Sequence, residues 1–364
     1  MAPPKAPRKG HTLPAAARGF PCFYRRQRLP RIITADPWAF LRHLGKRRLR
    51  DSARKVTAFL DQAHDFYSAA TDARLSSRPL LYYYAFLNLA KVLLLHSNVP
   101  LPPALRHGIS DPRANNKARL HFKTQEVELS RAAHDHSQLF PELVKALAID
   151  PSCPQSGIFK VLDLLAQVPA VHRTYCAVVE NEPTFCPVKH FTVWRDQANV
   201  WAVLEINRND RDVDKSYRAA TAHGTFSKEF HQVTSQTHES RCYESRPVQF
   251  QGRGRAIDAA IAKLAVRARA CGVWALLARQ GYLHYLNARP RETWLPQFCS
   301  AYAAMFYLGS ITRYRPYDFD KMTDRYGWLV SEFLDIQPIQ MLYLLSSYTV
   351  GTEVVVPYAK ITAL

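Results

Sequence analysis

The 364-residue chain carries 49 Lys and Arg against 30 Asp and Glu, which gives a formal net charge of +19. Hydrophobic residues make up 47% and charged residues 22%, a balance that is typical of a globular protein and excludes a disordered or fibrous chain. Seven cysteines without a Cys-x-x-Cys pair provide neither a disulfide framework nor a zinc ribbon, and they favour a reducing, cytoplasmic compartment.

The first 35 residues form a segment that is rich in proline, alanine and arginine. Because this composition offers little apolar surface to bury, we expect a disordered basic tail over residues 1–35. A transit peptide, which is also rich in arginine and poor in acids, is the alternative interpretation.

Helical periodicity dominates residues 36–174, which we interpret as a first helical part. Apolar residues recur at helical spacing from Val56 to Ala70. Ser77 and Pro79 then mark the start of the helix RPLLYYYAFLNLAKVLLL, which is apolar almost all round. This run is too short and too polar to cross a bilayer, so we expect a central core helix and no membrane contact.

Alternating β-branched and aromatic residues characterise the middle of the chain, over residues 175–251. FTVWRD and VWAVLEI are joined by a short polar turn and predict a hairpin. Helical periodicity returns in AIDAAIAKLAVRARA, and GYLHYL fits a strand. The apolar segments PQFCSAYAAMFYLGSITRY and PIQMLYLLSSYTV predict further helices in a C-terminal part over residues 252–364.

The expected fold is mainly α, of the α+β class. The two most apolar helices lie far apart in sequence, and neither could be solvated alone. We therefore expect residues 252–364 to pack on residues 36–174, so that the N- and C-terminal thirds form one helical core around a β-rich middle insert.

Several segments, taken in chain order, resemble the YaaC-like family of bacterial proteins. They are RPLLYYYAFLNLAKVLLL, HGIS, VLDLLAQVPAVHRTY, MFYLGSITRYRPYDF, FLDIQP and LLSSY. The resemblance implies a bacterial, cytoplasmic, mainly helical protein without a settled biochemical activity. The family resembles proteins met in phage-defence and mobile-element gene neighbourhoods, an association that would suit a nucleic-acid partner.

Most of the positive charge lies in residues 1–55 and 246–291. Such a field attracts polyanions, so we interpret the chain as a nucleic-acid-binding accessory protein for DNA or RNA. The alternatives are a solvated arginine-rich face and a protein-assembly subunit whose basic face meets an acidic partner protein. The cations expected to contact nucleic acid are Arg47, Arg48, Arg50, Arg54, Arg255, Lys263, Arg267 and Arg269.

Polar residues within and beside the apolar helices indicate another function, a metal-independent enzyme that acts on phosphodiesters. If those helices pack together, Lys91, His107 and Arg313 could converge, with Lys and Arg supplying charge and His transferring a proton. The residues expected to line the same buried polar cleft are Asn88, Ser110 and Tyr314. The alternative is a structural network in which Asp318 or Asp320 neutralises Lys91 and Arg313.

Arg279 and His284 have the Arg-x4-His spacing of HEPN-type helical ribonucleases, although GYLHYL does not fit a helix. No Walker loop, G-x-G-x-x-G, H-E-x-x-H or G-x-S-x-G sequence occurs, which disfavours ATPases, dinucleotide oxidoreductases, zincin proteases and α/β-hydrolases. The concentration of His223, His231, His238 and Cys242 lacks a recognised zinc spacing. We therefore expect neither a metal nor a cofactor.

Overall fold

The computed structural model describes residues 6–13, 32–48, 52–102, 105–112, 125–129, 138–147, 156–181, 183–207, 214–222, 224–235, 240–278, 281–288, 294–350 and 354–356. The helices are α1 (Pro37–Arg48), α2 (Ala53–Asp72), α3 (Arg78–His96), α4 (Leu139–Leu147), α5 (Val161–Ala166), α6 (His172–Val179), α7 (Asp214–Ala222), α8 (Gly224–Glu229), α9 (Arg255–Ala270), α10 (Gln297–Tyr314) and α11 (Pro316–Val350). The strands are β1 (His11–Thr12), β2 (Ile32–Ile33), β3 (Ile109–Ser110), β4 (Glu126–Leu129), β5 (Gly157–Lys160), β6 (Phe185–Val188), β7 (His190–Arg195), β8 (Asn199–Asn207), β9 (Phe230–Val233), β10 (Ser240–Ser245), β11 (Val248–Gln249), β12 (Val273–Ala278), β13 (Gly281–Asn287) and β14 (Val354–Val355). The fold is therefore mixed α and β with a majority of helix, as the sequence predicted.

The larger hydrophobic core lies among α2, α3, α10 and α11. Its buried residues come from positions 38–175 and from positions 295–345, so that both ends of the chain contribute to it. α3 and α10 approach closely at Gly309, where an added Cβ would lie 3.1 Å from the Cβ of Tyr83. Even an added methyl group at position 309 would require its neighbours on α3 to shift by a few tenths of an ångström.

The last helix, α11, is longer than the sequence predicted. It runs through Pro338, which is buried within it, whereas the sequence pattern placed the start of a helix at PIQM. An interior proline removes one backbone hydrogen bond and normally ends or kinks a helix. Here the residues on both sides of it, such as Leu334 and Met341, are buried in the helical core, and this packing offsets the missing bond.

A separate β-sheet core occupies the middle of the chain. The main sheet has the strand order β1-β7-β8-β10-β9, with β11 also paired to β8. β7 and β8 form an antiparallel hairpin in which Phe191 lies opposite Leu204 and Arg195 opposite Val200. This arrangement confirms the hairpin that FTVWRD and VWAVLEI predicted.

The β-rich part extends beyond residue 251, where the sequence placed its boundary. β12 and β13 form a second antiparallel sheet with β6, so GYLHYL is a strand as expected. α9 packs on the sheet through Ile261, Leu264 and Ala268, which belong to the β-sheet core rather than to the helical core. The apolar stripe of α9 matches the covered face of β8, and sequence periodicity could not show which surface that stripe would meet.

Residues 6–13 are not disordered, in contrast to the prediction for residues 1–35. β1 pairs antiparallel with β7, with His11 opposite Arg195. The backbone N–H of Leu13 donates a hydrogen bond to the carbonyl oxygen of Val193 at 2.9 Å. These backbone bonds to the sheet edge order a segment whose composition is too polar to form a core by itself.

Gly10 allows this segment to lie against the sheet. An added Cβ at position 10 would lie 2.5 Å from Cη2 of Trp201 and 2.6 Å from the carbonyl oxygen of Arg195. Both distances are far below van der Waals contact, so any side chain at position 10 would displace β1.

No helix in the described part of the chain is long and apolar enough to cross a membrane.

Candidate functional site

His107 lies beside α3 and contacts Tyr83. The hydroxyl of Tyr83 lies 2.7 Å from Nδ1 of His107. Gly108 holds the backbone at φ +70°, and an added Cβ there would lie 2.6 Å from Cδ of Pro141 at the start of α4. Partial burial and the positive charge of Lys91 lower the pKa of His107, which keeps the imidazole neutral at pH 7.

Lys91 is half-buried between the amide of Asn88 and the aromatic ring of Phe59. Its Nζ donates to Oδ1 of Asn88 at 3.3 Å and lies 4.9 Å from the ring centroid of Phe59. Asn88 in turn donates to Oε1 of Gln62 at 2.8 Å. Burial lowers the pKa of Lys91, and within the described residues no carboxylate forms an ion pair with it. Neither Asp318 nor Asp320 forms an ion pair with Lys91 in the described structure, so this part of the alternative interpretation is wrong.

Arg313 lies at the exposed end of α10. Its Nη1 donates to the hydroxyl of Tyr84 at 2.7 Å, and its guanidinium lies 4.9 Å from the ring centroid of Tyr314. Tyr314 is 65% exposed, so it does not line a buried cleft as expected. Asp318 and Asp320 do not pair with Arg313 in the part of the chain that the structure describes. Most of α10, from Phe298 to Thr312, is buried in the core, but its last residues, 313 and 314, project into solvent.

Ser110 belongs to a neighbouring polar group that the sequence did not identify in full. Its Oγ donates to Oε2 of Glu128 at 3.4 Å, across the pairing of β3 with β4. The next residue, Asp111, forms an ion pair with Arg315, and the two side chains are only 3% and 12% exposed. The buried arginine of this region is thus Arg315, two residues beyond the predicted Arg313.

The structure brings part of the predicted cluster together through two adjacent tyrosines. Tyr83 contacts His107, Tyr84 contacts Arg313, and the centroids of the two tyrosine rings lie 5.5 Å apart. Lys91 is close enough to lower the pKa of His107. This set, Tyr83, Tyr84, Lys91, His107 and Arg313, which we call the tyrosine cluster, joins a neutral imidazole to two cations, a combination that could hold an anion and accept a proton.

His284 does not lie in the helical setting that the Arg-x4-His motif requires. It sits in β13, opposite Ala275 of β12 and Val188 of β6. Its ring stacks on Phe191 with the centroids 4.9 Å apart. The motif partner Arg279 lies outside the described residues. These contacts give His284 a packing role in the small sheet.

We expect His284 to make the stability of the protein depend on pH. Burial lowers the pKa of His284 from 6.5 to about 4, so the folded state holds fewer protons than the unfolded state between these values. The contribution of neutral His284 to the free energy of unfolding is therefore fully present above about pH 6.5, and it is lost as the pH falls toward 4. The loss should approach about 3 kcal/mol, at 1.36 kcal/mol for each unit of pKa.

Urea unfolding at a series of pH values checks this expectation. His284→Phe keeps an aromatic ring at this position but has no group that titrates. The free energy of unfolding of this variant should therefore fall less than that of the wild type between pH 7 and pH 4. His43→Phe, at an exposed position of α1, should leave the wild-type pH dependence unchanged. Parallel curves for wild type and His284→Phe would contradict the assignment.

The predicted nucleic-acid contacts on α9 fall into three groups. Arg255 and Lys263 are exposed on α9, and neither has an ion pair within the described residues. Arg267 is occupied, because its Nη2 pairs with Oε1 of Glu229 at 2.5 Å. Arg269 is half-buried and has an interaction of its own.

The N-terminal cations are described only in part. Arg54 is exposed at the start of α2. Arg47 and Arg48 lie in α1 but their side chains are outside the described structure, and Arg50 lies outside it altogether. Arg42, which the same basic run contains, pairs with Asp61 at 2.8 Å.

A pocket that sequence reasoning missed lies at the N-terminal end of α9. It has a volume of about 670 Å³. The charged, titratable and aromatic side chains in its lining are Lys9, His11, Arg195, Asp196, Phe250 and Arg253. They come from the N-terminal segment, the β7–β8 turn and the loop before α9, so only the folded sheet brings them together. We call this cavity the α9 pocket.

The one acid of the α9 pocket is bound to its own turn. Oδ1 of Asp196 accepts hydrogen bonds from the backbone N–H groups of Ala198, at 2.8 Å, and Asn199, at 2.6 Å. These bonds lower the pKa of Asp196, led by the bond from Ala198. In the described part of the chain, Lys9, Arg195 and Arg253 have no ion pair, so the pocket is positively charged.

A model of the YaaC-like protein family matches residues 24–349. The chain belongs to the YaaC-like family. No curated protein and no solved structure matches it.

The YaaC-like match includes most of both candidate sites. It covers the tyrosine cluster, the β7–β8 turn and α9, and it includes the whole β-rich middle of the chain over residues 175–251. Lys9 and His11, which form one wall of the α9 pocket, lie before the matched region.

One Cys–His contact in the YaaC-like chain is structural rather than catalytic. Sγ of Cys176 lies 3.4 Å from Nε2 of His172. That nitrogen already accepts the backbone N–H groups of Thr184 and Phe185, so it is not free to act as a base. Burial also raises the pKa of the Cys176 thiol, which disfavours the thiolate. Among the described residues, no group of three His, Cys, Asp or Glu could hold a metal ion.

Proposed function

We propose that this YaaC-like protein binds nucleic acid as an accessory protein, through cations around the N-terminal half of α9. The observation that supports this proposal is a set of basic side chains that form no ion pair within the described structure. They are Lys9, Arg195, Arg253, Arg255 and Lys263. We call them the α9 basic surface.

The cations of the α9 basic surface differ from other basic residues of the chain because they form no ion pair in the described structure. Arg267 and Arg42 pair with Glu229 and Asp61, and a paired arginine must first lose its partner before it can neutralise a phosphate. Arg255 and Lys263 are exposed and unpaired in the described structure, so they can meet phosphates without that cost.

The spacing of the α9 cations fits a polyanion. Arg255 and Lys263 are eight residues apart on the exposed face of α9, which is about 12 Å along the helix axis. This length spans about three to four nucleotides of one strand, at about 3.4 Å each. The helix therefore offers a charged line that ends at the α9 pocket.

Salt-dependent binding tests the proposal. Labelled single- and double-stranded DNA and RNA are titrated with the protein by fluorescence anisotropy at several salt concentrations. We expect steep salt dependence for the wild type, and for the double variant Arg255→Gln/Lys263→Gln a weaker affinity with a salt slope that is smaller by about 2.

The matched control removes two exposed cations elsewhere. Lys321 and Arg325 lie on the outer face of α11, over the rings of Tyr317 and Tyr326. The variant Lys321→Gln/Arg325→Gln has the same net charge as the α9 double variant and should bind like the wild type. Equal loss in both double variants would contradict a localised surface. No binding at low salt would overturn the proposal and would leave an acidic protein partner as the reason for the charge.

A metal-independent phosphodiester enzyme is the second candidate, supported by the contact of His107 with Tyr83 beside Lys91. The same mixtures, run on a denaturing gel, distinguish it from the accessory role. Intact nucleic acid supports binding alone, whereas cleavage that His107→Ala abolishes would make the tyrosine cluster an active site. A cytoplasmic location and a role in phage defence or mobile-element biology, which the family resemblance implies, belong to the same proposal.

A further inference from the structure

We infer that the α9 pocket binds a nucleoside phosphate, with the phosphate at Arg195 and Arg253 and the base against Phe250. The inference rests on the proposed nucleic-acid function and makes it more specific. The ligand chemistry is a phosphate next to a base, which either a free nucleotide or the phosphorylated end of a strand can supply.

The cavity has the dimensions of a small-molecule site. Its volume of about 670 Å³ lies within the range of about 300–1,000 Å³ that ligand pockets occupy. The pocket is open to solvent, and a recess of this size at the protein surface can admit a ligand that a flat basic surface could not hold on several sides.

Three cations converge on this volume from separate parts of the chain. Lys9 comes from the N-terminal segment, Arg195 from the end of β7, and Arg253 from the loop before α9. Asp196 is the one acid in the pocket lining, so three cations face a single carboxylate and the pocket keeps a net positive charge. Like charges held together in this way repel one another, and a bound anion removes the repulsion.

The loop before α9 leaves room for an anion close to the backbone. Gly252 and Gly254 have φ of +103° and +55°, and an added Cβ at Gly254 would have no neighbour within 4 Å. No side chain caps the start of α9 at Gly254. A phosphate at Arg253 could therefore also accept hydrogen bonds from the first N–H groups of the helix, which adds to the binding by the side chains.

Part of the pocket lining is apolar. Phe250 and Ile257 belong to it, and the backbone N–H of Phe250 donates to the carbonyl oxygen of Ala198 at 2.8 Å, which fixes Phe250 beside the β7–β8 turn. An aromatic ring and arginines in the lining of one pocket are the combination that binds a base and its phosphate together. Inorganic phosphate or a carboxylate would use the cations but would leave these apolar side chains uncovered.

Isothermal titration calorimetry of the full chain tests the inference. The probes are the four ribonucleoside 5′-monophosphates, adenosine, ribose 5-phosphate and inorganic phosphate. We expect at least one monophosphate to bind at least tenfold more tightly than adenosine, ribose 5-phosphate or inorganic phosphate. Equal affinity for ribose 5-phosphate and the monophosphates would overturn the role of Phe250, and no binding of any monophosphate would overturn the inference.

Variants locate the binding in the α9 pocket. Arg195→Gln and Arg253→Gln should each weaken binding of the monophosphate by about tenfold or more. Phe250→Leu should weaken binding of the monophosphate but leave binding of ribose 5-phosphate unchanged. Gly10→Ala, which displaces the wall that carries Lys9, should also weaken binding, while Lys321→Gln should have no effect. Binding that is unaffected by both arginine variants would overturn the inference.

Oligonucleotides with a 5′-phosphate or a 5′-hydroxyl distinguish the two sources of the ligand. Tighter binding of the phosphorylated strand, lost in Arg253→Gln, would assign the pocket to strand ends. Equal binding of both strands, together with tight binding of a monophosphate, would assign it to free nucleotides. If strands depend on Arg255 and Lys263 while no monophosphate binds, the inference fails and the proposed function stands. If monophosphates bind while strands do not, the proposed function fails and the pocket assignment stands.

Discussion

Replacing His172 by leucine should lower the free energy of unfolding by about 4 kcal/mol, because it leaves buried backbone groups without partners. Nδ1 of His172 donates to the carbonyl oxygen of Ala166 at 3.0 Å. Nε2 accepts the backbone N–H groups of Thr184, at 2.9 Å, and Phe185, at 3.2 Å. His172 is 4% exposed, so water cannot replace these bonds, and the ring joins α5 and α6 to the start of β6.

Urea unfolding of two further variants checks the cause of this loss. His172→Gln retains an amide that can accept one of the two N–H groups, so it should lose about half as much stability as His172→Leu. His43→Leu, at an exposed position of α1, should change stability by less than about 0.5 kcal/mol. A leucine variant as stable as the wild type would show that His172 does not satisfy these backbone groups.

Breaking the ion pair between Asp111 and Arg315 should have an effect of similar size. The two side chains are 3% and 12% exposed, so removing either one leaves a buried charge without its partner. We expect Asp111→Leu and Arg315→Met each to lower the free energy of unfolding by about 3–5 kcal/mol. The double variant should lose much less than the sum of the two, because it leaves no unpaired charge.

A double-mutant cycle in urea measures this coupling. The exposed pair of Glu142 and Lys145 provides the comparison, since its side chains are 23% and 44% exposed. Glu142→Gln should cost less than about 1 kcal/mol. Additive losses at Asp111 and Arg315 would mean that the two residues do not stabilise each other.

The sequence predicted the individual elements better than their grouping. The helix at residues 78–96 and the β7–β8 hairpin were both expected, because apolar periodicity is a local property of the chain. The same periodicity placed α9 in the C-terminal helical part, whereas its apolar stripe packs on β8. A stripe shows that a helix has a buried face, but it does not show which surface will cover that face.

The candidate sites show the same limit. Lys91 and His107 were selected as polar residues in or beside apolar helices, and the structure places them within electrostatic range of each other. Tyr314, predicted to line the same cleft, is exposed because it is the last residue of α10 and lies beyond the part of the helix that packs in the core. The α9 pocket could not be found, since Lys9, Arg195 and Arg253 are more than fifty residues apart and carry no motif.

The sequence by itself determined the membership of the YaaC-like family, the majority of helix and the strong positive charge of this protein. Only the tertiary structure decided which cations remain unpaired. Arg267 and Arg255 look alike in the sequence, but one faces Glu229 on α8 and the other faces solvent. Charge is a sum over residues, whereas pairing depends on distances that exist only once α9 has packed on the sheet.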